Sequence, residues 1–530
     1  MTDRIRSSGI RNQIINATVE HKFLALLLLL FLAKGVLVTY AHAPFSGHDE
    51  VMHYAYLEYV ATEGRLPVIP VIAEWQEAER SNQAYPYDMA PDKLWAYCRY
   101  TTSDWNVGCD GRTDPTRNVY WPPEQANYLS GWVYTANHPP LYYLYMTPFY
   151  WLTDTFSIET QLYVFRLATL PFGLLTVLFA FLTVRTLFPR DRFLAMTVPA
   201  FVAFQPQISY EAGMLNNDAA AIMFTSATIW LLVQGLKRSF PIGNVALIGF
   251  CFGLAALSKN TALTVGLTIA VAMVLGLGVR SWRAWLPRGA IVGGIAGLLV
   301  APWFLYMYRT YGDFTALGRV SDLQYWNYSD GLSPTIWSQL TDRAFFWLRW
   351  RETWGEFGWR YIPLGRQGQW SGSPADSGDW PLLRILMWLT MLGAVGVAIW
   401  SIRLYLASRR AGRNQGALAG TKPVFALERW QVVGVLMMGV TCLTGYLAVL
   451  QFGVSFSLTQ ARYYFTAIVP AAVLLMLGYR ALLPRRWLPY GQLAIFVSLV
   501  FLNVLIYSAY VIPFWGSAFK LYRDIDPFYR

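Results

Sequence analysis

Charge is scarce in this chain. Only 14% of its 530 residues are Asp, Glu, Lys or Arg, against 55% apolar. That balance excludes an ordinary water-soluble domain and a disordered chain, both of which need more polar surface. Cysteine is rarer still: the four are Cys98, Cys109, Cys251 and Cys442, too few for a disulfide-dense scaffold. The sequence has no P-loop, and its one Gly-x-Gly candidate, Gly276-Leu277-Gly278, lies inside an apolar run, so a bound nucleotide has no anchor. No small-residue cleavage site of convincing form follows the first apolar run, so that run is read as an uncleaved helix. No clear internal repeat is present.

What the chain has in abundance is long apolar blocks from end to end. They predict an all-α polytopic membrane protein of about eleven transmembrane helices. Arg4, Arg6, Arg11 and Lys22 put residues 1–22 in the cytoplasm and the first span at 23–40. A first extracytoplasmic loop is expected over 41–160, spans two to seven over 161–308, a second outer segment over 309–380, spans eight to eleven over 381–510, and an outer tail over 511–530. The formal charge of +11 would suit nucleic acid, but the basic residues are scattered through short loops, where the positive-inside rule accounts for them. This is the pattern of a multi-pass protein of the inner (plasma) membrane. Lys34, inside the first span, is expected to snorkel to the outer surface.

Residues 42–160 hold fifteen acids against six bases, which fits the outer side. Cys98 and Cys109, ten residues apart in between, suit a small disulfide loop there, whereas Cys251 and Cys442 fall in apolar spans. The loop opens on Gly47-His48-Asp49-Glu50-Val51-Met52-His53-Tyr54. Asp49 and His53 share a helical face, with Glu50 beside them. Ionisable groups next to hydrocarbon are costly, which makes the cluster a candidate site; two acids in a first helical turn also answer the helix dipole. The loop closes on Asn137-His138-Pro139-Pro140-Leu141, where a double proline leads into an aromatic, interfacial helix. His138 either faces Asp49 or caps a turn.

Further polar groups reach the same outer side. They are Asn216, Asn217 and Asp218 at the start of the fourth span, Lys259 in a short turn between the fifth and sixth, Trp354 to Arg360 in the second outer segment, and Arg462 beside Tyr463 and Tyr464. Asn217 and Asp218 also suit helix capping, and Lys259 and Arg462 suit an anionic head group at the interface. Carboxylates outside and cations at the bilayer surface fit glycosyl transfer from a lipid-phosphate-linked sugar. One carboxylate takes the proton of the attacking hydroxyl, and the cations stabilise the departing phosphate. Asp524-Ile525-Asp526 has a D-x-D form but reads as a loop.

Asp-Glu just after the first helix, a His-Pro-Pro-Leu element closing the first loop and a run of short-looped spans resemble the GT-C membrane glycosyltransferases. The protein O-mannosyltransferase and aminoarabinose transferase group is the nearest flavour. Ser258-Lys259-Asn260-Thr261-Ala262-Leu263, Trp354-Gly355-Glu356-Phe357-Gly358-Trp359 and Gln460-Ala461-Arg462-Tyr463-Tyr464 resemble an uncharacterised bacterial family of the DUF2142 type. The resemblance spans about Phe23 to Leu483. It implies a polyprenyl-phosphate-sugar donor, inversion at the anomeric carbon and Asp49 as general base with Glu50 beside it; the acceptor is a glycan, lipid or protein, and the common outer side of the polar groups makes His53, His138, Asn217, Asp218, Lys259, Trp354, Arg360 and Arg462 the expected substrate contacts. The oligosaccharyltransferase branch holds a divalent metal on several carboxylates. Its second acidic motif is not evident here, so no obligatory metal is expected; Glu58, Glu63 or Asp218 would supply a second ligand. A flippase or permease for a lipid-linked saccharide is the alternative, but transporters place their charges near the bilayer midplane.

Overall fold

Apolar runs of bilayer length become helices because hydrocarbon offers no partner to an open backbone N–H or C=O. The computed structural model describes residues 2–69, 71, 77, 81, 134–321, 333–358, 362, 380–413, 427–456 and 459–516. Among these residues there is no β-strand. The long α1 (Thr2–Ala41) leads to α2 (Glu50–Glu63), and a 3-10 turn at Tyr134–Asn137 leads to α3 (Leu141–Leu152). The bundle continues with α4 (Ile158–Leu187), α5 (Arg192–Phe204), α6 (Pro206–Ala212), α7 (Asp218–Arg238) and α8 (Ile242–Ser258). A 3-10 turn, Asn260–Thr264, opens α9 (Val265–Leu277), and α10 (Trp282–Tyr311) follows. Three short helices, α11 (Leu317–Ser321), α12 (Ile336–Thr341) and α13 (Arg343–Gly355), lie before α14 (Pro381–Arg413) and α15 (Arg429–Ser455). A 3-10 turn at Ala461–Ala467 runs into α16 (Ile468–Leu482), and α17 (Leu488–Ile506) is the last long helix.

Among the described residues, nine helices are long and apolar enough to cross a membrane. The third and fifth of the eleven expected spans are the two that fall short, as α5 and α8. The third is cut by chemistry legible in the chain. Pro206 has no N–H to continue the helix, and Gln205 caps the new segment, its Oε1 accepting from Ile208 N at 2.8 Å. Apolar side chains on the outside of the bundle, such as Leu298, Trp388 and Phe501, are those a lipid environment would cover. Inside, α14 and α16 approach so closely that a Cβ at Gly478 would lie 1.9 Å from the Gly393 carbonyl, the small-residue contact typical of membrane helices.

The chain folds back and forth, so the end of α1 and the starts of α4, α7 and α16 gather at one end of the bundle. There the turn from His42 to Asp49 is fastened from two directions. Arg166, fully buried in α4, spends its five N–H donors on the Glu50 carboxylate (2.8 and 2.6 Å) and on the carbonyls of Thr39, His42 and Ala43. Glu50 also accepts from Gly47 N and Leu215 N. On the other side, buried His48 lies 3.7 Å from Glu211 and 3.3 Å from Glu356. Gly358, at φ +59, packs so tightly on this turn that a Cβ there would meet the Ser46 carbonyl at 1.8 Å. Burial disfavours the His48 imidazolium, but Glu356 and the bonds to both glutamates outweigh it and push its pKa up to about 9. Lys34 does not snorkel. Its ammonium is buried and donates to the Ala203 carbonyl and Asn503 Oδ1, both at 2.9 Å, because α5 and α17 supply acceptors within its reach.

Two outcomes follow. Gly478→Ala forces α14 and α16 apart and costs about 1–3 kcal/mol, the usual range for overpacking, read as a lower unfolding temperature in detergent. A raised histidine pKa adds stability at pH values below the unfolded value of 6.5 and loses it as pH rises through the folded value of about 9. The unfolding temperature of the parent chain therefore falls across that window, and His48→Gln removes that part of the fall.

Candidate functional site

Asp49 is where the turn becomes α2, and its backbone is left-handed, φ 59 and ψ 14. A non-glycine residue in that region is uncommon, though Asp tolerates it better than most. As N-cap of α2 it makes no side-chain capping bond. Its carboxylate instead accepts from Arg462 Nη2 at 2.5 Å, across 413 positions of sequence. The strain stands beside an acid aimed away from its own helix, as strained residues at functional positions often do.

Arg462 is the second residue of the 3-10 turn that opens α16, and it faces Asp218 as well, Nη1 to Oδ2 at 3.5 Å. Lys259, extended at φ −159 between α8 and the turn before α9, donates to both Asp218 oxygens at 2.6 Å. The result is an alternating chain of buried charges: Asp49, Arg462, Asp218, Lys259. Tyr463 lies under both cations, 5.1 Å from Lys259 and 5.7 Å from Arg462, within cation–π range. Burial lowers the Lys259 pKa, and Asp218 opposes that shift. Among the described residues, Arg462 Nε has no hydrogen-bond partner.

These groups line one cleft of about 400 Å³. Asp49, His138, Lys259, Arg462 and Tyr463 lie on its charged side; Thr261, Thr315 and Gln451 add hydroxyls and an amide; Leu317, Val320, Phe452 and Phe456 add an apolar face. His53 sits behind this wall, its Nδ1 2.8 Å from the Tyr143 hydroxyl, and His138 Nδ1 shares that hydroxyl at 3.3 Å. Burial drives the His53 pKa down to about 3 and that of His138 well below its usual value. Both rings are therefore neutral at pH 7 and act as hydrogen-bonding groups rather than cations.

The cleft gathers some of the expected residues and not others. Asp49, His138, Lys259 and Arg462 line it, with Asp218 bound to both cations. Glu50, expected beside Asp49 as a second catalytic acid, points the other way and is consumed by Arg166, Gly47 and Leu215, because consecutive residues at the start of a helix face different directions. Asn217 is buried against the Ser258 carbonyl (2.9 Å), holding α7 to α8. The capping role falls to Asn216, whose Oδ1 accepts from Ala219 N at 3.2 Å. Trp354 lines a separate cavity. Glu58 accepts from the Tyr150 hydroxyl, and Glu63 lies at the far end of α2, so neither stands with Asp49. Among the described residues no group of three or more His, Cys, Asp or Glu side chains could hold a metal ion. Arg360, Cys98, Cys109 and the Asp524–Asp526 pair lie outside the described residues. Sequence reasoning assigned no role to Arg166, Glu211 or Tyr143, and took Glu356 only as part of the Trp354–Arg360 stretch. An arginine inside an apolar span, which demands an acidic partner, was the available signal for the first.

No curated protein matches the chain in sequence. Among solved structures it is similar to ArnT from Cupriavidus metallidurans bound to undecaprenyl phosphate, with 14% identity and a TM-score of 0.41 over 93% of this chain and 75% of that one. It is similar to the Archaeoglobus fulgidus oligosaccharyltransferase in complex with Zn and sulfate, with 12% identity and a TM-score of 0.46 over 94% of this chain and 55% of that one. AglB from the same organism, in complex with an inhibitory peptide and a dolichol-phosphate, gives 13% identity and a TM-score of 0.41, over 93% and 56%. Residues 137–306 match the family model described as dolichyl-phosphate-mannose-protein mannosyltransferase. Over that stretch, which carries His138, Asp218 and Lys259, this all-helical membrane protein is similar to that mannosyltransferase family.

Proposed function

We propose that the chain is a membrane glycosyltransferase that moves a sugar from a polyprenyl-phosphate donor to an acceptor hydroxyl, with inversion at the anomeric carbon. The observation that carries this reading is the contact of Asp49 with Arg462 in a cleft that also holds Lys259 and has an apolar face. A lipid-linked sugar phosphate needs those three surfaces together. Asp49 takes the proton of the acceptor hydroxyl as its oxygen bonds to the anomeric carbon. The bond from that carbon to the phosphate oxygen breaks on the opposite face. The phosphate keeps the electron pair and leaves toward Lys259 and Arg462. Phe452 and Phe456 face the prenyl chain, and the hydroxyls of Thr261 and Thr315 face the sugar. The match of residues 137–306 to a dolichyl-phosphate-mannose-dependent family supports the same donor class.

In this reading no divalent metal is obligatory. Asp49 is already paired with Arg462, and Asp218 behind the cleft with Lys259, so the ammonium and guanidinium supply the positive charge that a metal would otherwise bring. The end of the bundle opposite the cleft carries Arg185, Arg190, Arg192, Lys237, Arg238, Arg280, Arg283, Arg480, Arg485 and Arg486. By the positive-inside rule that distribution supports a cytoplasmic side for that end and the outer face of the plasma membrane for the cleft.

Purified protein incubated with a panel of polyprenyl-phosphate sugars and candidate glycan, lipid and protein acceptors is expected to release polyprenyl phosphate. Asp49→Asn lowers turnover by about 10²-fold or more while donor binding is kept, as loss of a general base does. Lys259→Ala weakens donor binding instead. Normal turnover in Asp49→Asn would exclude the base role, and unchanged donor affinity in Lys259→Ala would mean the phosphate sits elsewhere. Prior treatment with EDTA leaves turnover unchanged; a loss restored by added divalent cation would overturn the metal-free reading.

A further inference from the structure

The acid and the guanidinium of the cleft arrive on separate pieces of chain, Asp49 at the end of the turn after α1 and Arg462 in the turn before α16. Their contact at 2.5 Å depends on where those two backbones stand. The end of α13 touches both. Glu356, the first residue beyond that helix, places Oε1 3.3 Å from His48 Nε2 and accepts with it from Gln460 Nε2 at 3.4 Å. One carboxylate oxygen thus lies between the residue before Asp49 and the residue two before Arg462. Four positions back, Glu352 accepts from Ala461 N at 2.7 Å and from Arg349 Nη2 at 2.5 Å, while Arg349 Nη1 donates to the Thr459 carbonyl. The three residues that lead into Arg462 are all held by this one short helix and its end.

The end of α13 is itself mounted on α6. Gln205 Nε2 donates to the Thr353 carbonyl at 2.5 Å, Gln207 Nε2 to the Glu356 carbonyl at 2.6 Å, and Gly358 N to the Tyr210 hydroxyl at 2.8 Å. The residues on either side of Pro206, where the third span is cut, supply two of those three bonds. Glu352 and Glu356 are both buried, and neither lines the cleft. A carboxylate kept from water is costly unless it is paired and hydrogen-bonded. These two make their bonds to the flanks of one ion pair rather than to the space a substrate would fill.

We propose that Glu356 is a positioning residue for the transfer: through His48 and Gln460 it keeps the turn that presents Asp49 and the turn that presents Arg462 in register. Its effect on turnover rests on the transferase reading; its effect on the ion pair does not. The hold on the acid's side is electrostatic, because His48 is faced by Glu356 and Glu352 at the end of α13, Glu211 and the Tyr210 ring from α6, Arg462 from the opposite turn and His42 from its own. As pH rises through the His48 value of about 9, the imidazolium is lost and that side of the clamp loosens.

The first test needs no substrate. Cryo-EM structures of the full chain in nanodiscs, enlarged by a bound antibody fragment, are compared for the parent and Glu356→Ala. The variant is expected to part Arg462 from Asp49 beyond salt-bridge distance, about 4 Å, with Lys259 still on Asp218; a contact kept at the parent length overturns the proposal. If Glu356→Ala does not fold, Glu356→Gln imaged at a pH of about 9, where His48 has lost its proton, takes its place under the same criterion. The second test follows release of polyprenyl phosphate from the panel of polyprenyl-phosphate sugars against pH. Glu356→Gln keeps an acceptor for Gln460 and loses only the charge facing His48, so near neutral pH it recovers turnover that Glu356→Ala lacks. Its alkaline limb falls at a pH lower by about one unit or more, the scale of losing an adjacent opposite charge. In a His48→Gln background the substitution at 356 moves no limb, which separates a clamp acting through His48 from general loosening of the fold. An alkaline limb unmoved in Glu356→Gln, or moved equally without His48, overturns the assignment. A parent that releases no polyprenyl phosphate counts against the transferase reading, and the structural comparison then decides this one.

Discussion

The guanidinium of Arg462 and the carboxylate of Asp49, in contact at 2.5 Å and almost out of reach of water, set the terms for the rest of the molecule. Breaking a buried ion pair by removing one partner leaves an uncompensated charge and costs several kcal/mol. Each charge is therefore held by others: Arg462 also by Asp218, and Asp218 by Lys259. Residues from four separate regions of sequence must arrive together for any one of them to be tolerable.

The turn before Asp49 shows how far the protein goes to fix one side chain. Arg166 closes five hydrogen bonds on it from the membrane side, and His48 fastens it to Glu211 and Glu356 from the other. With those restraints the backbone at Asp49 can hold a left-handed conformation, at a cost of about 1–2 kcal/mol, and the carboxylate is turned out of the capping position it would otherwise occupy.

Much of this was legible in the chain. Alternation of apolar runs with basic loops placed Asp49, His138, Lys259 and Arg462 at one end of the bundle, because each crossing of the bilayer reverses direction. The pairings were not legible, since spacing along a chain says nothing about which helices touch. Glu50 read as a second catalytic acid because it is adjacent to Asp49, yet adjacency at a helix start sends two side chains in different directions. Lys34 read as a snorkelling residue because its partners, the Ala203 carbonyl and Asn503, come from distant helices. Gln205-Pro206 did carry the signal that the third span breaks, but hydropathy alone runs through it.

The separation of 413 positions between Asp49 and Arg462 also bears on how the protein is made. A chain released from the ribosome N-terminus first presents Glu50 and Arg166 to each other early, so the turn can be secured while the first helices are still entering the bilayer. Asp49 waits until nearly all the remaining helices have been inserted before its counter-ion is synthesised. The residue that completes the cluster is therefore made late, and a truncated product stopped before the Ala461–Ala467 turn carries the acid without the group that neutralises it.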